Sequence, residues 1–262
     1  GKYVALCTSG TTSTSKVFVY DERAIIGNLA TPWNVHIASP YLMATDAKVL
    51  AFIPFYHIFG LFSVHLWPLL SGATIVYLRD RVPATFIETC QKHKVTHVYG
   101  VPLLWNNVVS KINSQVEQSS LYKRFLFNSL SKLSLIIQAI SPQWGTKFVF
   151  KHIFSSLHKA FLGTSIRCIL SGGAYLSPAT LKTLSSVGFP VLSGYGMTES
   201  GIVSIEVGTS YKRRMKSSVG VPFIGVETKI VPSEGASIEG VGQLYLRSNF
   251  LHIGKMEKGN LV

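Results

Sequence analysis

Acidic residues are scarce. Twelve Asp and Glu stand against 25 Lys and Arg in 262 residues, a formal net charge of +13. Between Gln118 and Thr198 there is no acid at all, while Lys123, Arg124, Lys132, Lys147, Lys151, Lys159, Arg167 and Lys182 fall in that stretch. Such a one-sided field attracts phosphate-bearing ligands or an anionic lipid surface. Nucleic acid would suit the charge, but no RNA- or DNA-binding motif accompanies it, so no nucleic-acid partner is expected. Cysteine is also sparse: Cys7, Cys90 and Cys168 are scattered and odd in number, which excludes a disulfide framework and points to a reducing, cytoplasmic compartment. A charged start followed by an apolar stretch is missing, so no signal peptide is visible. His93 and His97 have metal-pair spacing but no acid in the HExxH position, and Lys94-Val95-Thr96 reads as a helix end passing into a strand, so zinc is not expected. No G-x-S-x-G elbow exists, which argues against a serine hydrolase.

Val49 to Leu78 lacks Asp, Glu, Lys and Arg, long enough on that count to span a bilayer. Pro54, His57, Gly60, His65, Pro68 and Gly72 interrupt it, so it reads as a buried strand, a turn, a short helix and a second strand. Short apolar strands alternate with amphipathic segments along the rest of the chain, the pattern of an α/β fold with mostly parallel sheets and flanking helices. Strands are predicted at Tyr3–Cys7, Val49–Ile53, Thr74–Leu78, His97–Val101, Ile166–Leu170 and Val191–Ser193. Helices are predicted at Asp21–Leu29, Pro83–His93 and Pro178–Val187, each opened by turn or capping residues. From Gly220 the texture changes to short β segments with turns. The expected division is an α/β part over 1–203 and a smaller β-rich part over 204–262. Phe148, Val149, Ile153, Phe154 and Leu157 recur at helical spacing, either as a buried stripe under a basic face or as a membrane-surface helix.

The segment Thr8-Ser9-Gly10-Thr11-Thr12-Ser13-Thr14-Ser15-Lys16 follows the first apolar run. Small residues let backbone N–H groups approach oxygens, the hydroxyls add neutral donors, and Lys16 adds a point charge, so the segment can wrap a polyphosphate. An ordinary polar turn between two strands is the alternative. Far downstream, Gly194-Tyr195-Gly196-Met197-Thr198-Glu199-Ser200-Gly201 follows another short strand. Together the two stretches resemble the signature of the adenylate-forming enzymes, the superfamily of acyl-CoA synthetases, luciferases and peptide-synthetase adenylation domains. Pro54-Phe55-Tyr56-His57-Ile58-Phe59-Gly60 looks like that family's acyl-site turn, Ser171-Gly172-Gly173-Ala174-Tyr175-Leu176 like its adenine-side turn, and Gly242–Arg247 like a strand near the end of its large domain. The long insertion before Ser171 looks most like the long-chain fatty acyl-CoA synthetases.

The resemblance implies ATP-dependent activation of a fatty acid to an acyl-adenylate, then transfer to coenzyme A. It places Thr8, Ser9, Gly10, Thr11, Thr12 and Lys16 on the phosphates, and Glu199 with Thr8 or Thr198 on Mg²⁺. Gly172, Gly173 and Ala174 with Gly194, Tyr195 and Gly196 would form the adenine slot, with Met197 in the same run. His57, Phe59 and Gly196 would face the acyl group. Lys16, His57, Thr198 and Glu199 would carry the chemistry. Read without the family, His57 is more often a core histidine, and the alternative for Glu199 is a helix-capping or lysine-pairing acid. The loop departs from the family at Ser13, Ser15 and Val17, where glycine, proline and glycine are usual; Ser13 or Val17 at positive φ would be strained. The sequence ends at Val262 without the family's Thr-Gly-Asp ribose anchor or C-terminal lid, and begins at the loop. The expectation is therefore a truncated large domain, inactive alone. An adenylating ligase for an aryl or amino acid, and a non-catalytic nucleotide- or membrane-binding module, are the competing functions; oligomeric state is not legible.

Overall fold

The structure, a computed structural model, describes residues 3–8, 16–38, 42, 44–208, 211–232, 241–257 and 260–261. It opens with an antiparallel hairpin of β1 (Tyr3–Cys7) and β2 (Val17–Asp21), in register from Tyr3 opposite Asp21 to Cys7 opposite Val17. Asp21 caps α1 (Glu22–Ala38), its Oδ1 accepting the Ala24 N–H at 2.8 Å. Then come β3 (Lys48–Ala51), a π-helical segment Gly60–Leu66 running into α2 (Trp67–Leu70), β4 (Thr74–Tyr77), α3 (Pro83–Lys92) and β5 (His97–Gly100). A helical insert follows: α4 (Pro102–Glu117), α5 (Leu121–Ile140), α6 (Pro142–Phe148), a second π-helical turn Val149–Ile153, and α7 (Ser155–Ala160). Next stand β6 (Cys168–Ser171), α8 (Pro178–Ser186), β7 (Val191–Met197), β8 (Gly201–Ile205) and α9 (Tyr211–Arg214). The hairpin β9 (Val226–Pro232) and β10 (Gly242–Ser248) precedes β11 (Gly254–Glu257) and β12 (Asn260–Leu261). Proline occupies the first position of α3, α4, α6 and α8, where its missing N–H costs nothing and its fixed φ suits the helix.

The central sheet has the order β4-β3-β5-β6-β7-β8. Its first five strands are parallel and β8 runs antiparallel to β7. Alternate side chains enter two cores on opposite faces. Val49, Ala51, Tyr99, Cys168 and Leu170 enter one with Phe62 and Trp67; Leu50, Val98, Ile169 and Val191 enter the other with Trp105, Phe150 and Phe189. Strands covered on both faces read as continuous apolar runs, which is why they stand out in the sequence. Each fully buried large side chain such as Trp105 or Phe62 contributes about 2–3 kcal/mol. A second sheet, β1-β2-β11-β12, is antiparallel.

Several expected bounds shift. The strand expected at Ile166–Leu170 is Cys168–Ser171; Ile166 instead packs in the second core. Of the two alternatives for the stripe Phe148 to Leu157 the buried one fits: Val149, Phe150 and Phe154 are buried in the second core, and the segment is split between α6, the π-helical turn and α7. The helix expected at Asp21–Leu29 runs on to Ala38. Ser204, the expected start of the β-rich part, lies within β8 of the central sheet. Val49–Leu78 resolves into β3, the π-helical segment, α2 and β4, and no helix among the described residues is long and apolar enough to cross a membrane.

His158 sits in the second core between the Phe150 ring, stacked at 3.8 Å, and the edge of Phe189 at 4.5 Å. Its Nε2 donates to Val187 O at 2.7 Å, and its Nδ1 is buried without a partner among the described residues. Burial holds its pKa down to about 4, against an opposing hydrogen bond to Val187. Between that value and the ordinary 6.5 the unfolded chain binds more protons, so stability is full above about pH 6.5 and is lost as pH falls toward 4. The loss should reach about 3 kcal/mol. Urea midpoints across that window should fall in the native chain and stay flat in a His158→Phe variant; equal slopes would refute the assignment.

Candidate functional site

The motif segments lie toward the carboxyl ends of the parallel strands β3, β6 and β7. Strand order reverses between β3 and β5, since β4 lies on one side of β3 and the later strands on the other, and a ligand crevice is expected outside the strand ends at such a point. Beyond β3, the turn Pro54–Gly60 closes with His57 N–H donating to Pro54 O at 3.1 Å. Gly60 is required there, because a Cβ would lie 2.1 Å from Pro54 O. Beyond β6, Gly172 N–H donates to Gly100 O at 3.1 Å, extending the β5–β6 ladder. A Cβ on Gly172 would meet the Phe59 ring at 3.3 Å, and Gly173 has φ +79°. Two motifs more than a hundred residues apart thus touch through Phe59 and Gly172. Ser171 Oγ, beside them, is buried with no partner among the described residues, a donor ready for a polar ligand group. Ala174 is exposed.

Gly194 to Met197 lie on β7 and pair with β8, with a register shift between Tyr195 and Gly196. A Cβ on Gly196 would stand 2.5 Å from Gly201 O, so only glycine permits the hairpin to close here. Tyr195 is half-buried; burial and then the Glu199 carboxylate push its phenol pKa up. Its OH meets Met197 Sδ at 3.5 Å. Thr198 and Glu199 are fixed by their backbones. Tyr20 OH donates to Thr198 O at 2.5 Å and His252 Nδ1 donates to Glu199 O at 2.5 Å. Tyr20 is fully buried, and burial chiefly, with Glu199 adding to it, raises its pKa well above the ordinary range, so it stays a donor. Asn28, also fully buried, donates from Nδ2 to Ala24 O and Phe250 O at 2.9 Å each and accepts the Ile202 N–H on Oδ1 at 3.2 Å. Tyr20, Asn28 and His252 escaped the sequence reading. The only signal was an Asn, a poor helix former, inside the apolar run of α1.

Ser9, Gly10, Thr11, Thr12, Ser13 and Ser15 lie outside the described residues. Their flanks face each other: Thr8 N–H donates to Lys16 O at 2.8 Å, and Lys16 N–H donates to Thr8 Oγ1 at 3.0 Å. The segment therefore connects two antiparallel strands, with Lys16 exposed at the base. Val17 is an ordinary β2 residue, and the described non-glycine residues at positive φ are Lys94 and Ser217, so no strain falls on it. Thr8 Oγ1, already engaged by Lys16 N–H, would share that oxygen with any metal. His57 is half-buried with its ring 4.6 Å from that of Tyr56. His65 Nδ1 bonds Gly60 O at 2.7 Å, a structural contact. Among the described residues no group of three or more His, Cys, Asp or Glu gathers around one point. The single Glu199 carboxylate suits Mg²⁺, which takes most of its oxygens from phosphate and water.

The chain belongs to the AMP-binding enzyme family, whose pattern it matches over residues 3–254. It is 30% identical over 230 residues to long-chain-fatty-acid–CoA ligase 2 of Schizosaccharomyces pombe, covering 86% of this chain and 32% of that protein. It is 26% identical over 262 residues to long chain acyl-CoA synthetase 4 of Arabidopsis thaliana, covering 97% and 39%. The chain thus spans 32% and 39% of the length of these curated relatives. In fold it is similar to ATP-bound MatB from Rhodopseudomonas palustris, with a TM-score of 0.65 at 19% identity over 96% of this chain and 40% of that one.

Proposed function

We propose that this chain is the nucleotide- and acyl-binding part of an AMP-forming acid–thiol ligase acting on fatty acids. The observation that carries the reading is the convergence of the Pro54–Gly60, Ser171–Gly173 and Gly194–Glu199 turns at one end of the parallel sheet. A carboxylate is already a nucleophile at neutral pH, so adenylation needs no general base, only alignment and charge neutralisation. Its oxygen attacks the α-phosphate of ATP, and pyrophosphate leaves; in the second step a thiol, that of coenzyme A, displaces AMP from the acyl carbon. Lys16 and the hydroxyls of residues 8–12 hold the phosphates, and the glycines of the two turns admit the flat adenine beside Tyr195. Glu199 holds Mg²⁺, which when bound neutralises phosphate oxygens. His57 orients the acid and Phe59 walls its apolar part, favouring an apolar acid over an amino acid. The deciding experiment is acid-dependent ATP–pyrophosphate exchange by the intact polypeptide; exchange with amino or aryl acids but not fatty acids would replace the substrate class.

A cytoplasmic enzyme with peripheral contact to an anionic membrane completes the reading, and α5 is the surface that supports it. This helix packs Phe127 and Leu130 against the second core. Its inward side carries the buried Ser134 and Gln138, with Gln138 Nε2 donating to Ser134 Oγ at 2.9 Å and Ser185 O at 2.7 Å. Its outward side exposes Leu121, Tyr122, Phe125 (72%), Leu133, Ile136 (58%) and Ile140, flanked by Lys123, Arg124 and Lys132. Aromatic and aliphatic side chains among bases suit a helix lying in the headgroup region. The intact polypeptide should co-sediment with vesicles containing phosphatidylserine, less so as salt rises. Phe125→Ser with Ile136→Ser should weaken that binding roughly tenfold or more. Equal binding to neutral vesicles, or no effect of the double variant, would sink the idea.

A further inference from the structure

At the amino ends of β6 and β7, the far end of the sheet from the motif turns, lies a cavity of about 370 Å³. Phe150, Ile166, Cys168 and Leu192 give it apolar walls, while Lys147, Lys151, Arg167 and Arg214 also line it; none of its lining residues is an acid. Two features show a shaped site. Phe150 and Lys151 come from the π-helical turn Val149–Ile153, a rare conformation that concentrates at functional sites. Gly188 has φ +86°, and a Cβ there would lie 2.7 Å from Phe150 N, so the wall is set by a position that only glycine fills.

The cations are unevenly matched. Arg167 is paired with Asp46 at 3.0 Å. Glu206, which acts on Arg214 electrostatically, is already bonded to Gly208 N–H at 2.9 Å, to Ser218 Oγ and to Arg213 at 3.1 Å. Arg214 Nε is buried with no hydrogen-bond partner among the described residues. A buried, unbonded guanidinium nitrogen is costly unless an acceptor arrives. We propose that this cavity is a second ligand site that takes an amphiphilic anion. A carboxylate or phosphate head sits among Lys147, Lys151 and Arg214, and an apolar body lies on Phe150, Ile166 and Leu192.

Titration calorimetry of the intact polypeptide would use octyl phosphate, octanoate, octanol and inorganic phosphate, each below any micelle concentration. At least one octyl anion should bind at least tenfold more tightly than octanol or inorganic phosphate, and the comparison of the two anions identifies the preferred head. Arg214→Met should weaken that binding at least tenfold while leaving the thermal midpoint equal or higher, because Nε loses no bond. Lys151→Glu, at an exposed position, should weaken it similarly and decides the matter if Arg214→Met fails to fold. Lys16→Ala should leave it unchanged. Octanol binding as tightly as the anions, binding unaltered in Lys151→Glu, or binding lost in Lys16→Ala would each overturn the site.

Discussion

Asn28→Leu should lower the unfolding free energy by about 3–5 kcal/mol, the sum expected when several buried polar groups lose their partners. Leucine keeps the branched outline of asparagine with bulkier methyl groups and leaves no cavity, so the effect reports lost hydrogen bonds with some crowding. Asn28 Nδ2 serves the carbonyls of Ala24 and Phe250, and Oδ1 serves the Ile202 N–H. These groups belong to α1, the segment before β11 and β8. Removing the amide leaves the Phe250 carbonyl and the Ile202 N–H without this partner, at about 1–3 kcal/mol each. The packing there is close: a Cβ on neighbouring Gly201, itself at φ +73°, would lie 1.9 Å from Asn28 Oδ1, so the two positions are matched to each other. A urea titration showing a loss under 1 kcal/mol would mean that Asn28 merely fills space.

What could be read from the sequence was what repeats locally. The strands of the central sheet are buried on both faces, so their apolar runs stand out, and the glycines after β6 and in the second half of β7 carry their own short signatures. The helices α4, α5 and α6 were missed for a physical reason. Pro102 and Pro142 begin two of them, but the outward apolar side of α5 blurs the usual rule that the apolar face points to the core. Phe127 and Leu130 of α5 pack against the second core beside the buried Ser134 and Gln138 while its other side also exposes apolar residues, and periodicity does not say which side is inside. The same limit applied to Phe148–Leu157, where the buried reading held because Phe150 and Phe154 meet Phe189 and Phe127. Tyr20, Asn28 and His252 were beyond reach because their partners lie 178, 174 or 222, and 53 residues away, separations at which no single-sequence pattern operates.

Glu199→Gln should reduce acid-dependent ATP–pyrophosphate exchange by the intact polypeptide by ~10²–10³-fold, the range found when one charge-stabilising group is lost from a reacting centre. Glutamine keeps the shape and removes the charge, and the Thr198–Glu199 backbone stays held by Tyr20 and His252. The loss should therefore appear in the Mg²⁺ dependence, with saturation moved to higher metal concentration. Lys16→Ala should weaken ATP binding by about 1–3 kcal/mol through one charge-assisted contact, without moving the metal dependence. Tyr20→Phe tests positioning. Its hydroxyl donates to the Thr198 carbonyl and also meets the Gly201 backbone, so its removal loosens the turn without altering the carboxylate. A fall in kcat of roughly tenfold is expected, since a displacement of about an ångström is enough for that, with the Mg²⁺ response unchanged. The three variants thus separate metal holding, phosphate holding and alignment. If Glu199→Gln leaves both rate and metal dependence intact, the carboxylate has no part in the metal site, and the turn's role reduces to presenting Gly194–Gly196 to the adenine.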